Sequence, residues 1–177
     1  MLIPILAILA VIVLGLGLVI ALRPSDFKVT RTVAIPVAPA VVFAQVNDLH
    51  LWKAWSPWAK LDPNQKTSFE GPPAGRGAVF EWDGDKNVGA GRMTITDSHE
   101  PELIVIKLEF KKPFVATNTA EFTFRPDGDK TVVTWSMSGK AGFVAKAIGL
   151  FMNCDKMCGD MFEQGLANLS TVSQAAK

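Results

Sequence analysis

Residues 143–172 read FVAKAIGLFMNCDKMCGDMFEQGLANLSTV. Val144, Ile148, Phe151, Cys158, Phe162, Leu166, Leu169 and Val172 recur at about the 3.6-residue period of a helix. Cys154, Met161 and Gly165 widen that apolar stripe, whereas Lys146, Lys156, Asp160 and Glu163 mostly take the other side. The pattern predicts one helix across the stretch, roughly 45 Å long at about 1.5 Å per residue. A helix of that length needs a sizeable apolar partner, and residues 26–138 read as the strands that supply it. Gly149, Gly159 and Gly165 interrupt the stripe. Each costs up to about 1 kcal/mol relative to alanine, which points to bends or close backbone approaches.

Working back from that helix, strand chemistry dominates. In residues 26–35, Phe27, Val29, Val33 and Ile35 alternate with Lys28, Thr30, Thr32 and Ala34, with Arg31 interrupting the apolar side. Pro36 ends this strand, and Pro39 suits the first turn of a helix carrying Val42, Phe43 and Val46. A second short helix is expected over residues 49–55, stopped by Pro57. Six strand-like runs follow at 67–70, 78–83, 91–97, 102–111, 117–125 and 131–138, separated by Gly-, Pro- and Asp-rich turns. The fold class is therefore α+β. A curved antiparallel sheet, in the order strand, two helices, six strands, helix, is expected to wrap the C-terminal helix.

Residues 2–22, LIPILAILAVIVLGLGLVIAL, carry no charge. As a helix they would span about 31 Å, matching a hydrocarbon core of about 30 Å. A cleaved signal peptide fits less well, because no basic residue precedes the run and it exceeds a normal signal core. The expectation is an uncleaved single-pass anchor over 1–22, a short linker at 23–25 and a folded domain over 26–175. Arg23, Lys28 and Arg31 follow the span and no Lys or Arg precedes it, so the positive-inside rule puts the domain on the cytoplasmic side of the cell membrane.

The chain has 177 residues and a formal net charge of +1. The part after the anchor suits one domain with one core. Near-neutral charge without a basic run argues against a nucleic-acid partner. Cys154 and Cys158 stand four apart, a poor geometry for a disulfide within a helix.

Several stretches then carry a resemblance. They are Trp-x-x-Trp-Ser-Pro-Trp at 52–58, Gly71-Pro72-Pro73 with Gly75-x-Gly77-Ala78, and Gly89-x-Gly91-x-Met93-x-Ile95. Thr131-x-Val133-Thr134-Trp135-x-Met137-x-Gly139 and the long final helix complete the set. In this order they resemble the START-related helix-grip superfamily, nearest its polyketide cyclase/dehydrase-like (SRPBCC) branch, over about residues 26–173. The resemblance implies an apolar cavity between sheet and C-terminal helix. It implies binding of lipids, sterols, polyketides or other hydrophobic molecules, with catalysis in a minority. The apolar first segment departs from the soluble polyketide cyclases, which weighs against an aromatic polyketide substrate.

Reactive residues are few. His50 and His99 share no metal-ligand spacing, and Cys154 and Cys158 lack further soft ligands, so no metal site is expected. The glycine-rich loop at 71–77 lacks the Gly-Lys-Ser/Thr ending of a phosphate cradle, and no cofactor is expected. Asp155 shares a helical line with Phe151, Cys158 and Phe162, which makes it the one weak catalytic candidate if buried. The alternative is an exposed carboxylate paired with Lys156 or Lys140. Aromatic residues are abundant, and they fill cores and line apolar pockets alike. The expected ligand-binding set is Trp55, Phe80, Trp82, Phe110, Phe122, Phe124, Trp135 and Phe151, with Asn118 and Arg92 as candidate polar groups. A charge introduced at Trp82 or Phe122 is expected to abolish ligand uptake.

Three functions follow as expectations. The first is a membrane-anchored, non-enzymatic module whose partners are the bilayer and a lipid-like or quinone-like molecule. The second is a cyclase- or dehydratase-like enzyme using pocket carboxylates. The third is an accessory subunit of a larger membrane protein complex.

Overall fold

The computed structural model describes residues 2–150 and 153–176. Helix α1 (Leu2–Leu22) leads through residues 23–25 into strand β1 (Asp26–Ile35). Helix α2 (Pro39–Asn47) starts with its proline in the first turn, where the missing N–H has no intrahelical partner to lose. It buries Val42, Phe43 and Val46. The Asp48 side chain accepts from the His50 backbone N–H at 2.9 Å and starts a tight turn at Leu49–Leu51 that runs into α3 (Trp52–Trp55). Pro57 stops α3 as expected and opens a further single turn, Pro57–Lys60.

Six strands follow: β2 (Lys66–Glu70), β3 (Val79–Asp83), β4 (Ala90–His99), β5 (Leu103–Lys112), β6 (Ala116–Asp127) and β7 (Lys130–Lys140). All neighbours are antiparallel, and the seven-stranded curved sheet has the order β1-β7-β6-β5-β4-β3-β2. β1 is thus carried across to β7, and the excursion through α2 and α3 lies between β1 and β2. Because side chains alternate, the register assigns each residue to a face. Arg31 is opposite Trp135, which is opposite Phe122, which is opposite Ile104, all on the inner face.

The final helical stretch corrects the expectation of one continuous helix. Helix α4 (Phe143–Ile148) ends at Gly149, and a new helix α5 (Cys154–Ala175) starts at Asn153. The physical reason is capping. Asn153 takes extended backbone angles, and its side chain accepts from the Lys156 N–H at 3.0 Å, supplying a helix start inside the apolar stripe. Only α5 grips the sheet: Phe162, Leu166 and Leu169 are buried, and Val172 and Cys158 pack at the margin. Val144 of the predicted stripe is exposed on α4. Phe151 lies outside the described residues.

Two glycines of the stripe have the expected role of close approach. A side chain at Gly165 would meet Trp135 at 2.8 Å and Pro57 at 3.1 Å. One at Gly159 would overlap the Arg31 guanidinium.

Candidate functional site

Helix α5 packs on β1, α2 and α3, so it covers only one side of the inner sheet face. Trp55, Phe122, Phe124 and Trp135 are buried in the core that α2, α3 and α5 together cover. Trp135 stacks on Phe122 at 4.8 Å between ring centroids and on Phe162 at 4.1 Å. Trp52 and Trp55 reach back to α2, their indole N–H groups donating to the carbonyls of Val46 and Gln45 at 2.9 and 3.1 Å. These four members of the predicted ligand set are packing residues in the geometry described.

The other side of the inner face differs. Phe69 and Phe80 are opposite each other on β2 and β3, Phe80 is opposite Met93 on β4, and Met93 is opposite Leu108 on β5. Trp82 lies across Gly91, whose lack of a side chain makes room for the indole, and meets Phe110 edge-on at 6.0 Å. Phe80, Trp82, Met93, Leu108 and Phe110 are half-buried, and Phe69 is exposed. Thus three of the predicted ligand residues, Phe80, Trp82 and Phe110, share one incompletely covered apolar floor. Phe69, Met93 and Leu108 belong to the same floor. They were missed because alternation assigns each residue a face within its own strand, and only the register between strands unites them.

Asn118 stands at the boundary between the two halves. It lies on β6 opposite Gly139 on one side and Leu108 on the other, and is 7% exposed. Its amide nitrogen makes only a 3.9 Å contact with the Met137 sulfur, and its carbonyl oxygen is buried without a hydrogen-bond partner among the described residues. Gly139 is the cradle that admits this side chain, since a Cβ there would overlap the Asn118 oxygen. A buried acceptor without a donor is costly, on the order of 1–3 kcal/mol. Arg92, the other predicted polar group, faces away. It pairs with Glu81 at 3.0 Å and Glu70 at 3.2 Å on the outer face.

Asp155 is corrected as a catalytic candidate. Its side chain is 61% exposed and pairs with Arg31 at 3.4 Å, rather than with Lys156 or Lys140. Arg31 reaches α5 from the inner face of β1 and also pairs with Glu163 at 2.8 Å. The Asp155 hydrogen bond, opposed by burial and then aided by Glu163, raises the Arg31 pKa above its ordinary value. The apparent flaw in the apolar side of β1 is a clasp for α5. Among the described residues no group of three His, Cys, Asp or Glu side chains is placed to hold a metal ion.

A concavity of about 300 Å³ opens towards the outer face, lined by Lys66, Glu81, Asp83, Lys111 and Lys112 and touched by Trp82. Lys111 pairs with Glu81 at 3.3 Å and Lys112 with Asp83 at 3.1 Å. Lys111 first, then Arg92, lowers the Glu81 carboxyl below the ordinary glutamate value. The lining is an ion-pair lattice across strands.

Residues 26–174 match the family model described as polyketide cyclase / dehydrase and lipid transport. The chain belongs to this family. Solved structures share its fold at low sequence identity. Protein MLL2253 from Mesorhizobium loti aligns at 14% identity with a TM-score of 0.62, over 85% of this chain and 99% of that one. The major latex-like protein 151 from Panax ginseng aligns at 15% and 0.58, over 84% and 98%. The Aha1 dimer from Colwellia psychrerythraea aligns at 12% and 0.60, over 85% and 98%. No curated protein matches the sequence. At these identities the likeness establishes the helix-grip fold. Family and fold together suggest a module that binds a hydrophobic ligand or is like a polyketide cyclase. The N-terminal helix, over Pro4–Leu22, is long and apolar enough to cross a membrane, with a mean hydropathy of 3.2.

Proposed function

We propose that this family member is a membrane-anchored binding module for a hydrophobic small molecule, lipid-like or quinone-like, held on the inner face of the sheet alongside the C-terminal helix. Residues 1–22 anchor it, 23–25 link, and 26–175 form the binding domain on the cytoplasmic side. The observation that carries the reading is the Asn118 oxygen, buried and without a partner among the described residues, beside the half-covered floor of Phe80, Trp82, Met93, Leu108 and Phe110. An apolar floor with one oriented polar group is what a site for a mostly apolar ligand requires. The ligand would bring a hydroxyl donor to the Asn118 oxygen, as a lipid alcohol or the reduced, quinol form of a quinone-like molecule does, and lay its apolar body along the aromatic side chains.

The anchor supports this choice of ligand. Helix α1 leaves almost all its large side chains exposed, so they need an apolar phase. A domain tethered so closely meets membrane lipids at high effective concentration. The enzyme reading rests on Asp155, whose side chain is 61% exposed and paired with Arg31 rather than enclosed in a pocket.

Mass spectrometry of the organic extract from protein purified gently out of its own membrane tests the proposal. A defined lipid or quinone at near-stoichiometric amount is expected. An empty extract, with other membrane proteins retained in the preparation, would replace it with the accessory-subunit reading.

A further inference from the structure

Outside α1, four of the five most exposed large apolar side chains among the described residues, Phe114, Val115, Phe143 and Val144, gather at one end of the sheet, whereas Leu51, Leu61, Phe69 and Met157 lie scattered elsewhere. β1 begins at this end, β7 and β5 finish there, and β6 starts there, as their antiparallel registers require. The tip between β5 and β6 carries Phe114 and Val115, which are 56% and 87% exposed. Helix α4, directly after β7, carries Phe143 and Val144, 56% and 49% exposed. None of the four is used by the core or by the floor around Asn118.

Helix α1 arrives at this same end. Its last residue, Leu22, and the first of β1, Asp26, are separated by only residues 23–25, a reach of roughly 10–15 Å fully extended. The Ser25 carbonyl accepts from the Ala141 N–H at 2.7 Å, which extends the β1–β7 ladder towards α1. Helix α4 then packs on the last turn of α1. Ile20 is buried, and the Lys146 ammonium donates to the Ala21 carbonyl at 3.4 Å. Phe143 and Val144 precede Lys146 by less than one helical turn, so they sit level with the end of the apolar helix. The β5–β6 tip lies two to three strand spacings from β1, about 10–14 Å sideways.

We propose that this end of the domain docks on the bilayer that α1 spans, with Phe114 and Val115 at one point and Phe143 and Val144 at another entering its interfacial layer. The proposal rests on the anchor reading of α1. The tether leaves these side chains no place far from the head groups, and an apolar phase is the one surface that four such residues match. Arg23, Lys140 and Lys146 border the patch and suit lipid phosphates. Three points of attachment, α1, α4 and the tip, would hold the domain at a fixed tilt rather than swinging on its linker.

Photo-crosslinking of the full-length protein in its native membrane tests this. A p-benzoylphenylalanine side chain is placed singly at Leu14 in α1, at Phe114, at Phe143, or at Asp127 at the opposite end of the sheet. Val115 and Val144 serve as second sites should either phenylalanine position disturb folding. Lipid adducts at Leu14, Phe114 and Phe143 but not at Asp127 are expected. Adducts at Leu14 alone would overturn docking and leave the anchor standing. Adducts at Phe114 and Phe143 without Leu14 would overturn the anchor and keep the docking surface. Absence of adducts at all three would overturn both.

Discussion

Trp135 of β7 and Phe162 of α5 lie face to face, their ring centroids 4.1 Å apart and their planes 4° from parallel. This stack joins the sheet to the helix that it grips. Gly165, one turn further along α5, brings the helix backbone against the same indole. Phe162→Ala removes the helix half of the stack and is expected to cost about 3–5 kcal/mol. Urea denaturation would read this as a lower midpoint with an unchanged slope. Gly165→Val should be worse tolerated, because its Cβ would stand 2.8 Å from Trp135 and 3.1 Å from Pro57.

Arg31 offers a contrast in magnitude. Its partners Asp155 and Glu163 are 61% and 63% exposed, so their attraction to it is screened by water. Arg31→Met, which keeps the apolar stem, is expected to change stability by less than about 1 kcal/mol. A loss of several times that amount in the same denaturation assay would contradict this account of the clasp.

The two positions first expected to block ligand uptake now separate. Phe122 is fully buried against Trp52 and Trp55, so Phe122→Asp is expected to prevent folding. Trp82 is half-buried, and its indole N–H donates to the Val88 carbonyl at 3.2 Å. Trp82→Ala should yield a folded protein, judged by circular dichroism, whose organic extract has lost its bound molecule. A folded Trp82→Ala protein with full occupancy would remove Trp82 from the site.

Asn118→Leu tests the polar anchor through two readouts of opposite sign. Removing an unpartnered buried oxygen should raise the thermal stability of the ligand-free protein, by on the order of 1 kcal/mol. Occupancy by the native ligand should fall, because its donor would then have no acceptor. If stability and occupancy fell together, Asn118 would be a packing residue.

The acid response of the outer face follows from Glu81. Lys111 first, and then Arg92, lowers its pKa in the folded protein relative to the unfolded chain. Its contribution to stability is therefore complete above the unfolded glutamate value and is lost as pH falls through the lowered folded value. Melting temperatures of the native protein and of Glu81→Gln should differ at neutral pH and converge in acid. A difference that widened in acid would reverse the sign of the linkage.

Much of this architecture was readable from residue order. Alternation in 26–35 and in the six later runs marked the strands, and the spacing of Phe162, Leu166 and Leu169 marked the gripping helix. The break between α4 and α5 was harder to see. Gly149 signalled a bend, but Asn153 is ordinary in a helical pattern until its side chain acts as a cap. Asp155 was misleading for a related reason. Its helical line with Phe162 is real, but the arginine that meets it comes from a strand more than a hundred positions earlier.

The sequence by itself determined the element order, the antiparallel class, the apolar first helix and the family, because periodicity and turn chemistry are local properties. Only the tertiary structure decided which aromatic residues pack and which stay half-covered. Trp135 and Trp82 occupy equivalent inward positions on their strands, so alternation cannot tell them apart. What separates them is the placement of α5, which covers Trp135 with Phe162 and leaves Trp82 on the open part of the same face. That asymmetry depends on contacts between segments far apart in the chain, which no local pattern encodes.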